Sequence, residues 1–136
     1  MNRLTKQLIR DEGLKLAPYR DTVGKLTIGV GRNLDDNGIT EAEAIHMLQN
    51  DIAVSERELS RYPWFMQLDP IRRDAIVNMH FNLGLPRLLT FRNMIAALDG
   101  GNYTKAANEA LDSKWANQVG ERAIRVARQI KTGEYQ

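Results

Sequence analysis

Tyr19-Arg20-Asp21-Thr22-Val23-Gly24-Lys25-Leu26-Thr27-Ile28-Gly29-Val30-Gly31 brings together β-favouring residues, a turn and chemically able side chains. Tyr19, Thr22, Val23, Leu26, Thr27, Ile28 and Val30 suit a pleated strand, and Val23-Gly24-Lys25 supplies a turn, so the stretch predicts a small antiparallel hairpin. Asp21 then lies just before or within that turn. Upstream, Leu4, Leu8 and Ile9 recur at helical spacing, which predicts an amphipathic helix over residues 3–12 that stops at Gly13. Glu12 therefore sits at a helix end. Two carboxylates and the Thr27 hydroxyl fall within a short span, a set suited to cleaving a glycosidic bond, where one carboxyl group gives a proton and another manages water or positive charge. No cofactor is needed for that chemistry.

Beyond the hairpin the pattern becomes helical. Thr40-Glu41-Ala42-Glu43 is a capping box, and Ile45, Leu48, Ile52 and Leu59 mark the buried stripe of a long helix from about 41 to 61, ended by Pro63. Asp69-Pro70 is a second start signal, opening a helix through Ile71, Ala75, Ile76, Met79 and Leu83 that stops near Gly84. Further helices are expected at about 90–98, 102–112 and 120–131, with Gly100-Gly101 and Gly133 as stops. The expected fold is α+β and mostly α, a single domain over 1–136 with two lobes. A β-containing lobe covers about 13–40, and a helical lobe covers about 62–136 together with the N-terminal helix 3–12. The long helix joins them. A groove between two such lobes is a natural place for a polymer, because sites favour concave boundaries between substructures.

Composition narrows the chemistry. With no cysteine among 136 residues there are no disulfides, thiolate nucleophiles or cysteine-bound zinc, so catalysis falls to carboxylates, hydroxyls or the two histidines. No apolar run approaches the ~20 residues of a membrane helix, and the N-terminus does not read as a signal peptide, so synthesis in the cytoplasm is expected. The net charge is only +2, but Lys114, Arg122, Arg125, Arg128 and Lys131 stand against Glu121 alone near the C-terminus. Such a face can meet an anionic polymer or simply be solvated.

Several other motifs read as structural. Gly29-Val30-Gly31 begins like a dinucleotide fingerprint, but Leu34 stands where the third glycine belongs and no βαβ unit surrounds it. Asn33 to Gly38 imitates a calcium loop, but Ala44 occupies the position that requires a bidentate glutamate, so a polar turn is expected. His46 and His80 lack a second ligand at i+4, and no metal site is expected. Trp64 and Trp115 lie among apolar neighbours and are assigned to the core. Phe81, flanked by Asn78, His80 and Asn82, suits a groove wall.

Arg10-Asp11-Glu12-Gly13-Leu14, Tyr19-Arg20-Asp21 and Thr27-Ile28-Gly29-Val30-Gly31 together resemble the signature of the phage-type lysozymes, glycoside hydrolase family 24. Eight residues separate Glu12 from Asp21 and five separate Asp21 from Thr27, as in the family's catalytic glutamate, aspartate and threonine. The resemblance continues through Thr40 to Leu48, Ile71 to Gly84, Phe91 to Met94, Ser113 to Trp115 and Arg122 to Val126, which is nearly the whole chain. It implies a lysozyme-like fold and hydrolysis, with inversion, of the β-1,4 bond between N-acetylmuramic acid and N-acetylglucosamine in peptidoglycan. It further implies Glu12 as general acid, Asp21 and Thr27 as holders of the attacking water, Asn33 and Phe81 along the groove, and Arg122 as a supporting residue paired with the glutamate. A monomer is expected that binds no nucleic acid and, as an endolysin, reaches the periplasmic wall through a holin-type membrane partner.

The sequence also departs from that pattern. Arg32 replaces a histidine that often follows the second hairpin glycine, so an ion pair built on that histidine is absent. The segment Asn33–Thr40 is shorter than in the T-even phage members, which implies a lost helix, a possible lost strand and a more open groove. Two alternatives stay open at this stage: a lytic transglycosylase with one glutamate, and a silent wall-binding module.

Overall fold

Asn2 accepts the Thr5 backbone N–H on its side-chain oxygen at 2.8 Å and so opens helix α1 (Arg3–Glu12), satisfying one of the donors that a helix start leaves bare. Gly13 closes the helix at φ +81°, with its N–H on the Ile9 carbonyl at 2.8 Å. The computed structural model describes residues 1–136, which form two compact units, Met1–Met47 and Leu48–Gln136.

In the first unit a three-stranded antiparallel sheet follows α1, in the order β1 (Lys15–Arg20), β2 (Leu26–Gly29), β3 (Arg32–Asn33). Tyr19 faces Thr27, and Thr27 in turn faces Asn33. The register of β1 shifts between Lys15 and Tyr19, an interval that holds Pro18; proline has no N–H to give a ladder and is tolerated on an edge strand such as this. The hairpin is joined by a third strand because the chain reverses again through Gly29 and Gly31, at φ +70° and +66°, a region glycine enters without a steric penalty. One-turn helix α2 (Leu34–Asn37) comes next, so the short segment after Arg32 holds both a strand and a helical turn. Helix α1 falls in this first unit. The Glu12 side chain lies against Gly31, beside the β2–β3 turn.

The long helix α3 (Glu41–Leu59) starts in the first unit and continues in the second. Its capping box is reciprocal: Thr40 N–H donates to Glu43 Oε1 at 2.9 Å, and Glu43 N–H donates to Thr40 Oγ1 at 3.1 Å. Pro63, expected as a terminator, also opens the short helix α4 (Pro63–Met66) from its first position.

The second unit carries the apolar core. Asp69 caps α5 (Pro70–Leu83) by accepting the Arg72 N–H at 3.1 Å, and α5 buries Ala75, Ile76, Met79 and Leu83. Around it lie α6 (Leu85–Leu88), α7 (Arg92–Asp99), α8 (Tyr103–Leu111), α9 (Lys114–Val119) and α10 (Glu121–Thr132), which contribute Leu88, Met94, Leu98 and Ile130. Trp64 and Trp115 are both in this core; the Trp115 indole N–H is satisfied by Asn82 Oδ1 at 2.9 Å, and its ring meets Phe91 edge-on. His80 is buried too, bridging α5 to α3 with Nδ1 2.9 Å from Ser55 Oγ and Nε2 2.7 Å from Glu58 Oε2. That gives His80 the structural role expected of it.

Because Ile76 is fully buried, Ile76→Ala removes packed methyl groups with little room for collapse. We expect a loss of about 2–5 kcal/mol, read by urea or thermal unfolding.

Candidate functional site

The hairpin turn between β1 and β2 is built around one peptide group, that of Lys25. Its N–H donates to Asp21 Oδ1 at 2.8 Å, and its carbonyl accepts both the Asp21 N–H at 2.9 Å and the Thr27 hydroxyl at 2.8 Å. Asp21 Oδ1 also accepts the Val23 N–H at 2.9 Å, and the Asp21 carbonyl takes the Gly24 N–H at 3.0 Å. Side-chain aspartate bonds to the backbone two and four residues on are what make this residue a turn former. Asp21 is thereby fixed through one oxygen, while Oδ2 makes no hydrogen bond. Thr27, at 3% exposure, is the one buried residue of the first unit, and burial of its hydroxyl is tolerated because the proton is bonded.

Glu12 is the last residue of α1 and is exposed. It lies against the backbone of Gly31, where a Cβ would stand 3.0 Å from its Oε2. Within the first unit, then, all three residues singled out from sequence are carried by the α1 end and the sheet. Asn33 stands at the end of β3 opposite Thr27, with its side-chain oxygen accepting the Asp36 N–H at 3.0 Å and its amide nitrogen donating to Asp36 Oδ2 at 2.9 Å. One amide N–H and one lone pair of Asn33 stay free.

Polar bonds brace this sheet. Asp35 Oδ2 accepts the Leu26 N–H at 2.8 Å and lies 3.5 Å from Arg20, while Lys25 reaches Asp36 at 3.1 Å. That bond raises the Lys25 ammonium above its ordinary pKa and lowers the Asp36 carboxyl. The aspartates that imitate a calcium loop are therefore paired with cations and backbone donors. Arg32, read from sequence as the loss of an ion pair, makes one of its own: its guanidinium bonds Glu43 Oε1 at 2.8 Å and the Gly38 carbonyl at 3.3 Å. The Glu43 carboxylate, held first by Arg32 and then by Thr40, is lowered to about 2. Neither partner could be found from spacing, since Arg32 and Glu43 stand eleven apart on different elements.

In the second unit, Arg122 on α10 donates through Nε to Asn78 Oδ1 at 2.9 Å and through its Nη2 to the Asn78 carbonyl at 3.1 Å. Asn78 is a partner that sequence reasoning mentioned only as polar surroundings. Phe81 is half-exposed and, with Leu48, Ile52, Asp74, Val77, Asn78 and Arg122, lines a cavity of about 420 Å³. Arg125, Arg128 and Lys131 are exposed along α10. No group of three or more His, Asp or Glu side chains converges as metal ligands would.

The model of the family described as phage lysozyme matches residues 10–130. The chain belongs to the phage lysozyme family. It is 31% identical to "Probable T4-type lysozyme 1" of Dictyostelium discoideum, with 90% of each chain covered. It is also 31% identical to the "Pre-baseplate central spike protein Gp5" of Enterobacteria phage T4, covering 96% of this chain but 28% of the spike protein. The "SAR-endolysin" of Escherichia phage Mu is 28% identical, over 91% of this chain and 77% of that protein. The chain is thus a glycoside hydrolase of lysozyme type, with peptidoglycan as substrate. No helix is long and apolar enough to cross a membrane.

The Arg32–Glu43 pair gives the lysozyme a defined acid response. Glu43 has its pKa near 2 when folded and an ordinary value of 4.5, so the stability it confers is complete above 4.5 and is lost as pH falls toward 2. In Glu43→Gln that share of the acid dependence should vanish, giving a shallower fall of Tm between pH 4.5 and 2 than in the parent; an unchanged slope would contradict the pairing.

Proposed function

We propose that this lysozyme acts as an endolysin and cleaves the β-1,4 bond between N-acetylmuramic acid and N-acetylglucosamine with inversion, using Glu12 as the acid and Asp21 with Thr27 as the holders of water. The observation that carries the reading is the shared anchorage of Asp21 and Thr27 on the Lys25 peptide. The Thr27 hydroxyl gives its proton to the Lys25 carbonyl, so toward a water molecule it offers only lone pairs. Asp21 offers the oxygen that no backbone donor occupies. A water that donates one hydrogen to Asp21 Oδ2 and the other to Thr27 Oγ1 keeps its own lone pair free, and that lone pair attacks the anomeric carbon. Asp21 takes the water's proton as the bond forms, and its charge stabilises the oxocarbenium-like transition state.

Glu12 protonates the departing glycosidic oxygen. Arg122 is assigned the orienting role that the family resemblance implies, with Asn78 fixing two of its nitrogens. Phe81 supplies an aromatic edge for a sugar ring, and Asn33 contributes the amide N–H and lone pair that Asp36 leaves free. The exposed arginines of α10 attract the anionic wall, an effect that salt screens. The protein works as a monomer, admitted to the wall by a holin-type membrane partner.

Glu12→Gln removes the transferable proton and almost no volume. Lysis of purified walls should fall by about 10²–10⁴-fold or more with Tm unchanged, and a variant that clears turbidity at the parental rate would rule the assignment out. Asp21→Asn keeps an oxygen for the Val23 and Lys25 N–H groups and loses the base, so folding should persist while the rate collapses; near-parental activity would mean another group handles the water. Mass spectrometry of the products separates hydrolysis, which adds a water, from transglycosylation, which leaves anhydro ends.

A further inference from the structure

Gly31 and Gly29 sit two residues apart with nearly the same backbone strain, φ +66° and +70°, yet their surroundings differ. A Cβ at Gly29 would meet nothing within 4 Å. A Cβ at Gly31 would find its three nearest neighbours all on Glu12, Oε2 at 3.0 Å, Cδ at 3.4 Å and Cβ at 3.6 Å. We infer that Gly31 is a positioning residue for the Glu12 carboxyl group: its bare Cα is the wall against which the general acid rests. The inference builds on the assignment of Glu12 as the acid and names what sets its place.

When that space is filled, either Gly31 or Glu12 must give. Gly31 cannot retreat easily. Its neighbours Ile28 and Arg32 are register partners, Thr27 pairs with Asn33, and Arg32 is tied to Glu43 and the Gly38 carbonyl. Glu12 can retreat, because it lies at a helix end, is exposed, and its carboxyl group is the far end of a flexible side chain. An added methyl group therefore displaces the acid by a few tenths of an ångström or turns it to another rotamer, at little cost to folding. Catalysis is less forgiving: proton transfer in the transition state needs the donor within hydrogen-bond reach of the leaving oxygen, and small misplacements cost rate steeply. A single substitution should thus separate activity from stability, which a purely structural glycine would not do.

The neighbouring glycine supplies the control. Gly31→Ala and Gly29→Ala carry the same penalty for a side chain at positive φ, so both should lose a similar amount of Tm. On soluble peptidoglycan fragments, Gly31→Ala should lose roughly 10- to 100-fold in kcat at little-changed KM, while Gly29→Ala stays within about 2-fold of the parent. Should alanine prevent folding at either site, Gly31→Asn and Gly29→Asn repeat the pair with a residue that tolerates positive φ, with the same split expected. Equal losses of kcat at the two positions, or a folded Gly31 variant of parental kcat, would overturn the inference. Glu12→Gln measured alongside keeps the two claims apart: an active Glu12→Gln enzyme defeats the acid assignment, whereas an inactive one beside a fully active Gly31→Ala defeats the positioning role alone.

Discussion

The peptide group of Lys25 is the constraint on which the placing of Asp21 and Thr27 depends. One N–H and one carbonyl receive the Asp21 side chain, the Asp21 backbone and the Thr27 hydroxyl, so the tight turn and the placing of both side chains are the same set of bonds. Because the Thr27 proton is committed to the backbone, the Thr27 hydroxyl has only lone pairs to offer a further partner. The fold spends no extra ordering entropy on these groups, since the turn would fix them in any case.

This economy suits a unit with little core. Between Met1 and Met47 only Thr27 is buried, and the sheet is held by charge-assisted bonds from Asp35 to the Leu26 N–H, from Asp36 to Lys25 and from Glu43 to Arg32. Each exposed pair adds modest stability, but bonds between carboxylates and backbone donors have defined directions. Directional bonds set geometry where dispersion contacts are few. The second unit shows the opposite balance, with Ile76, Met79, Met94 and Ile130 packed at its centre.

Much of this was legible in the sequence, for identifiable reasons. Local signals work over a few residues, and the Asp69 and Thr40 caps, the glycine stops after α1 and α5 and the turn after Asp21 are all local. The spacing of Glu12, Asp21 and Thr27 carried the family because three positions in register are hard to match by chance. The one-turn helices α2, α4 and α6 lacked a signal, since four residues cannot display a period of 3.6. The Arg32–Glu43 pair, the Asn78 clasp on Arg122 and the Ser55–His80–Glu58 bridge are tertiary, joining residues 11 to 44 apart, and only the folded chain brings them together.

Arg32, where the family pattern often has a histidine, makes an ion pair of its own. A histidine at this position could pair with a carboxylate only while protonated, so its hold would fade near neutral pH. Arginine stays charged throughout, and its guanidinium reaches Glu43 and the Gly38 carbonyl together. It thereby anchors β3 to the start of α3 through the same Glu43 oxygen that caps the helix at Thr40. Because Arg32 follows Gly31 directly, that anchor bears on the surface against which Glu12 rests. The residue that looked like a missing interaction is the one that steadies the turn beside Glu12 while Glu43 stays ionised.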